Sequence, residues 1–199
     1  CKDWCSSVKK QYENLMKHAN GMVADARCPE AVNLIERYNE ERNLSIQVAD
    51  IEPILIHCAR ELSARADLAD GEKIITTPCR ILTEQGNALE LPHTRFVSWK
   101  DFFSELGESL EPAPEASPIP PGFFTGLSVP VVSLSGREDI EDYLEERSRT
   151  SEGESEDRMM SGTAGSQNIG AVIADAGRKP LLLELLYCPK GCHMGDGVR

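Results

Sequence analysis

The sequence predicts an α/β protein with mostly parallel sheets flanked by helices, arranged as two small lobes. Three observations predict it. Short β-branched or apolar runs alternate with segments of helical period. Proline and glycine mark most of the joins between them. The last run, 181–187, is apolar almost throughout, as in a strand covered on both faces of a parallel sheet.

Taken in order, residues 6–20 place Val8, Tyr12, Leu15 and Met16 at helical spacing, and Gly21 suits the stop. Residues 22–26 read as a short strand leading into Arg27-Cys28-Pro29. Pro29 suits a first helical position, and Ala31, Leu34, Ile35 and Tyr38 give that helix an apolar face. Asp50 reads as the N-cap of a helix carrying Ile51, Ile54, Leu55, Cys58 and Leu62. After Asp70-Gly71, residues 73–77 form a strand ending in Pro78-Cys79. Residues 95–97 lead to Ser98, which with Asp101 makes a capping box for a helix through Leu106, closed by Gly107.

Five prolines in the fourteen positions 108–121 exclude a helix or a central strand there. The stretch reads as a linker or crossover and divides a first lobe, 1–107, from a second, 122–199. In the second lobe, 129–134 is a strand, Ser135-Gly136 a turn and 137–147 a helix. Residues 148–168 are rich in Ser, Gly, Glu and Thr and are expected to be a mobile loop, within a disordered insertion of about 148–178. Strand 181–187 then ends in Cys188-Pro189-Lys190-Gly191-Cys192.

Composition narrows the function. The 21 basic and 33 acidic residues leave a net charge of −12, which argues against nucleic acid as a partner. Residues 138–157 hold ten acids and two arginines, a solvated face rather than a docking tail. No apolar run is long enough for a membrane span, no secretory signal pattern is present, and a cytoplasmic location is expected. Seven cysteines, an odd number in a chain this size, fit thiolate–metal chemistry in a reducing compartment better than a disulfide scaffold.

Three of those cysteines, Cys28, Cys79 and Cys188, each follow a predicted strand, and Cys192 lies one turn beyond the last. A parallel sheet gathers such positions at one edge, where ligands collect. Cys28 also sits at a helix N-terminus, where free N–H groups favour a thiolate. Four thiolates at one edge suit an iron–sulfur cluster, with Gly191, Gly195 and Gly197 letting backbone approach the sulfides. The spacing of Cys188 and Cys192 alone also allows zinc or a redox pair. Cys1 and Cys5 share that spacing but stand at the chain's start, Cys58 lies on an apolar helix face, and His57 and His193 read as boundary or loop histidines.

These motifs resemble the C-terminal domain of the large chain of iron-only hydrogenases. Cys28-Pro29 resembles a cluster cysteine before a helix-starting proline, Pro78-Cys79 the strand-end Pro-Cys motif, and 188–197 the Gly-rich Cys-x-x-x-Cys stretch. The resemblance covers most of 8–198 and implies a four-iron, four-sulfur (4Fe-4S) cluster on Cys28, Cys79, Cys188 and Cys192, at the C-terminal ends of strands between the lobes. It also exposes two departures. Catalytic members carry a proton-transfer cysteine where this chain has Arg27, and a lysine holding the di-iron unit where it has Leu82. Arginine is not a proton donor near neutral pH and leucine donates no hydrogen bond. The pattern is similar to the divergent sensory branch, which implies redox sensing or electron relay without a di-iron subcluster. It also implies partnership with ferredoxin-type or signalling modules, possibly in the same full-length chain. An active hydrogenase fragment, and a structural zinc or metal-free interaction module, are the alternatives.

Overall fold

The computed structural model describes residues 2–117, 120–160 and 180–199. The protein is α/β, with parallel sheets flanked by helices. Its elements are α1 (Trp4–Met16), β1 (Met22–Ala24), α2 (Pro29–Arg42), β2 (Gln47–Val48), α3 (Ile54–Ala64), β3 (Lys73–Thr77) and α4 (Arg80–Asn87). They continue through β4 (Thr94–Ser98), α5 (Trp99–Glu105), β5 (Val131–Ser135), α6 (Arg137–Met160) and β6 (Leu181–Leu186).

Four strands form one sheet in the order β2-β1-β6-β5, and β3 and β4 form a second; every pairing is parallel. The larger sheet draws strands from both sides of 108–121, so that proline-rich stretch acts as a crossover between strands of one sheet. β6 lies between β1 and β5, with Ala24 opposite Leu183 and Leu134 opposite Leu185. Its alternate side chains feed two cores. Leu183 and Leu185 pack with Leu34 and Ile35 of α2 and Ile140 and Leu144 of α6. Leu182 packs on the other face with Val8, Tyr12 and Met16 of α1 and with Phe124. This explains why the 181–187 run is apolar apart from Glu184: a strand with helices on both faces has no solvent side.

The smaller sheet buries Ile75 and Phe96 against Ile56 and Ala59 of α3 and Leu82 of α4. A side chain at Gly86 would place its Cβ 2.2 Å from the Phe96 ring, so the glycine lets α4 lie flat on β4.

Local signals hold at several joins. Pro29 opens α2 with Cys28 as its N-cap, and the Ser98 hydroxyl accepts from the Asp101 N–H at 3.1 Å. Others differ. α3 begins after Pro53, whose ψ of 145° keeps it extended, so Asp50 caps nothing and Ile51 precedes the helix. α6 continues to Met160, whereas the composition predicts a loop from 148; the rest of the expected insertion lies outside the described residues. Among the described residues no helix is long and apolar enough to cross a membrane.

Candidate metal centre

Four elements deliver the four cysteines singled out from the sequence. Cys28 is the N-cap of α2, and Cys79 is the N-cap of α4, a helix the sequence pattern did not reveal. Cys188 follows β6, and Cys192 opens a short 3-10 turn, 192–194. Backbone contacts lock these pieces together. The Tyr187 N–H lies 3.5 Å from the Cys28 sulfur, and the Ser135 hydroxyl donates to the Cys188 carbonyl at 3.1 Å. The Gly197 N–H donates to the Pro78 carbonyl at 3.1 Å, the Arg80 N–H to Asp196 at 3.0 Å, and the Lys100 N–H to the Gly197 carbonyl at 2.8 Å. The C-terminal loop therefore ties the ends of β3 and β4 to the end of β6.

Two glycines permit that seating. A Cβ on Gly195 would stand 2.3 Å from the Pro78 oxygen, and one on Gly197 2.8 Å from the Pro78 carbonyl carbon. Gly191, with φ +117°, turns the chain between Cys188 and Cys192 in a conformation that side chains disfavour.

The four thiols lie close enough to influence one another in every pairwise combination. Burial is the main cause that pushes their pKa values up from 9.0: Cys79 to about 12, Cys188 to about 11 and Cys192 to about 12, with Cys28 also raised. Each neighbouring thiolate would raise them further. Without a cation the set is therefore held as neutral thiols, and metal binding must displace their protons. Among the described residues, no three His, Cys, Asp or Glu side chains converge on the geometry of a single metal ion.

The sign of the pH dependence follows. In the unfolded chain the thiols deprotonate near pH 9, whereas in the folded protein they hold their protons to about 11 or 12, so folding loses support as pH rises through that window. Burial raises the Tyr12 phenol too, with the same sign. Urea unfolding of metal-free protein is expected to show a falling midpoint from pH 9 upward, with a shallower fall in the fourfold Cys→Ser variant. Identical slopes for the two proteins would contradict this account.

Two recesses flank the thiols. One of about 630 Å³ has Cys79 and Cys188 on its wall, with the charged residues Glu30, Arg137 and Asp196. The other, about 470 Å³, is overwhelmingly apolar and is lined by Cys192 together with Arg27 and Leu82.

Beside the centre lies a buried charge network that sequence reasoning missed. Arg27 pairs with Asp25 at 2.7 Å and Glu184 at 3.0 Å, and its guanidinium lies over the Phe123 and Phe124 rings. Tyr12 donates to Asp25 at 2.9 Å, and Glu184 also accepts from the Gly122 and Phe123 N–H groups and the Ser133 hydroxyl. The signal was an acid inside an apolar strand, which must find partners to be buried.

The remaining candidates stand elsewhere. Cys5 is exposed on α1, Cys58 is half-buried on α3 and close enough to feel Cys5, and Cys1 lies outside the described residues. His57 stacks on Trp4 with ring centroids 4.6 Å apart, and His193 is buried next to Cys192. Comparison with family models, with curated proteins and with solved structures finds no match for this chain.

Proposed function

We propose that Cys28, Cys79, Cys188 and Cys192 hold a four-iron, four-sulfur cluster, in a domain similar to the cluster-binding core of iron-only hydrogenases. The domain serves redox sensing or electron relay in a cytoplasmic setting, with ferredoxin-type or signalling modules as partners, and carries no di-iron subcluster. The observation that supports this reading best is the mutual approach of four partly buried thiols supplied by four separate elements.

The donor set fits the group. Four thiols carried by four segments, each within electrostatic reach of the others, suit a thiolate-held cluster. Close backbone passage at Gly195 and Gly197 keeps the surrounding loop compact. Such a cluster supplies one-electron transfer. The protein's own part is to exclude water, fix the four sulfurs and leave Cys79 and Cys188 beside the recess that Glu30, Arg137 and Asp196 also line.

Loss of hydrogen turnover is supported by what lines the apolar recess. Arg27 and Leu82, the two departures from the catalytic pattern, share that wall with Cys192. Arg27 is committed to Asp25 and Glu184, and Leu82 belongs to the core of the smaller sheet. Arg27 cannot relay a proton near neutral pH as a cysteine does, and Leu82 cannot anchor a polar ligand as a lysine does.

Anaerobic expression with iron is expected to give a brown protein with near four irons and four acid-labile sulfides per chain and a paramagnetic signal on reduction. Fourfold Cys→Ser substitution removes all three. Protein that lacks iron–sulfur absorbance under these conditions, or that keeps it in the fourfold variant, ends the proposal. Hydrogen evolution after co-expression with di-iron maturation proteins would move the assignment to an active hydrogenase, and stoichiometric zinc would move it to a structural module.

A further inference from the structure

Two cysteines outside the candidate centre, Cys5 and Cys58, stand where α1 packs on α3. The helices are tied at the start of α1. Trp4 stacks on His57 with ring centroids 4.6 Å apart and planes 5° from parallel, and its indole N–H donates to Glu61 at 2.5 Å. The Lys2 N–H donates to the same carboxylate at 3.0 Å. Further along, Ile54 of α3 packs against the core that Val8 and Tyr12 of α1 help to build. Cys5 comes three residues before Val8, and Cys58 lies four after Ile54 and three before Glu61. At that spacing each cysteine lies on the side of its helix that turns toward the other. The two thiols are near enough for the charge of one to act on the other.

We propose that Cys5 and Cys58 are a reversible dithiol–disulfide pair, oxidised by a small disulfide of the glutathione type, whose bridge staples α1 to α3. Exposure orders the steps, because Cys5 is exposed and Cys58 half-buried. The Cys5 thiol loses its proton and attacks one sulfur of the oxidant. That S–S bond breaks, and the other half leaves as a thiolate that takes up a proton. The Cys58 thiol then loses its proton and attacks the Cys5 sulfur of the mixed disulfide, releasing the second half in the same way. One protein dithiol is oxidised and one small disulfide is reduced to two thiols. Burial, then the charges of Glu61 and Cys5, push the Cys58 thiol up, which suits it to resolve the mixed disulfide rather than to start the reaction. Cys5 is the second residue of α1, and the freedom of a helix's first turn lets the sulfurs close to bonding distance. The bridge joins more than two helices. α1 packs Val8, Tyr12 and Met16 on the larger sheet, and α3 packs Ile56 and Ala59 on the smaller, so oxidation links the two sheets covalently. The pair shares no residue with the candidate centre, and bridge and cluster stand or fall separately.

The test incubates the full chain, iron-loaded and metal-free, with graded ratios of glutathione to glutathione disulfide, traps free thiols by alkylation and maps peptides by mass. A rising share of disulfide is expected to give a Cys5–Cys58 peptide two hydrogens lighter than the sum of its parts, and dithiothreitol should restore both thiols. Cys58→Ser should halt the reaction with one glutathione on Cys5, and Cys5→Ser should leave Cys58 open to alkylation. Closing a loop of about 50 residues should raise the folded-to-unfolded ratio in urea by at least about tenfold in oxidised parent protein, and not in Cys58→Ser under the same oxidant. Mapping separates this bridge from any formed among Cys28, Cys79, Cys188 and Cys192. The proposal is overturned by the absence of a Cys5–Cys58 peptide at every ratio, by pairing of either cysteine with Cys1 instead, or by glutathione that stays on Cys5 in the parent. A bridge that forms without a shift in urea overturns it too. Because the bridge is sought first in the parent protein, the result stands even where a serine variant fails to fold.

Discussion

Replacing Glu184 with alanine is expected to lower the free energy of unfolding by about 3–5 kcal/mol, the scale of breaking a buried ion pair from one side. Glu184 is fully buried on β6, and its two oxygens answer Arg27, the N–H groups of Gly122 and Phe123, and the Ser133 hydroxyl. Alanine leaves those donors without their acceptor and the guanidinium with Asp25 alone. Asp25 is a poor sole partner, because complete burial raises its pKa and so favours its neutral form. Against a total stability of about 5–15 kcal/mol for a typical domain, this loss brings the protein close to unfolding at ambient temperature. Glu184→Gln keeps an acceptor for the 122–123 backbone and should fall between parent and alanine. Urea midpoints for the three proteins check the order; an alanine variant within about 0.5 kcal/mol of the parent would show that the network holds nothing.

The second large effect falls on the centre itself. Gly195→Ala is expected to cut iron incorporation to less than half of the parent's while leaving the far-ultraviolet circular dichroism nearly unchanged. The new methyl would overlap the Pro78 carbonyl at 2.3 Å and approach the Cys192 carbonyl at 3.2 Å. Both obstacles are backbone, so no side-chain rotation relieves them. The loop must lift, and lifting it pulls Cys192 away from Cys79. The two cores of the larger sheet lie elsewhere and should survive. Gly71→Ala is the matched control: its Cβ would meet only the Leu68 oxygen at 3.7 Å, an ordinary contact. Full iron loading in Gly195→Ala would mean that the passage over Pro78 does not position Cys192.

What the sequence revealed followed the reach of its signals. Proline and glycine act on their own dihedrals, so Pro29, Pro78 and Gly191 announced the turns where Cys28, Cys79 and Cys188 stand. Strands β3 and β6 were legible because β-branched and apolar runs are local patterns. α4 was not legible: it has eight residues, and its buried positions are Leu82 and a glycine, whose role appears only with the Phe96 ring above it. The start of α3 was misplaced because Asp50 offers a capping side chain, whereas Pro53 sets the boundary through its own extended ψ. Least visible was the pairing of Arg27 with Glu184, 157 residues apart. Only the register of β1 on β6, with Ala24 opposite Leu183, brings them together.

The strand order carries a consequence for how the chain assembles as it is made. β6, which follows β1 and β5 in sequence, is the strand that both of them pair with. During synthesis the β1–β2 pair and β5 must wait, each with an open hydrogen-bonding edge, until residues 181–186 emerge and close the gap. The same late segment brings Glu184 to Arg27 and the Tyr187 N–H to the Cys28 sulfur. Chains in which residues 181–186 have not yet emerged therefore leave both edges open, and the Arg27–Glu184 ion pair can form only once that strand is made.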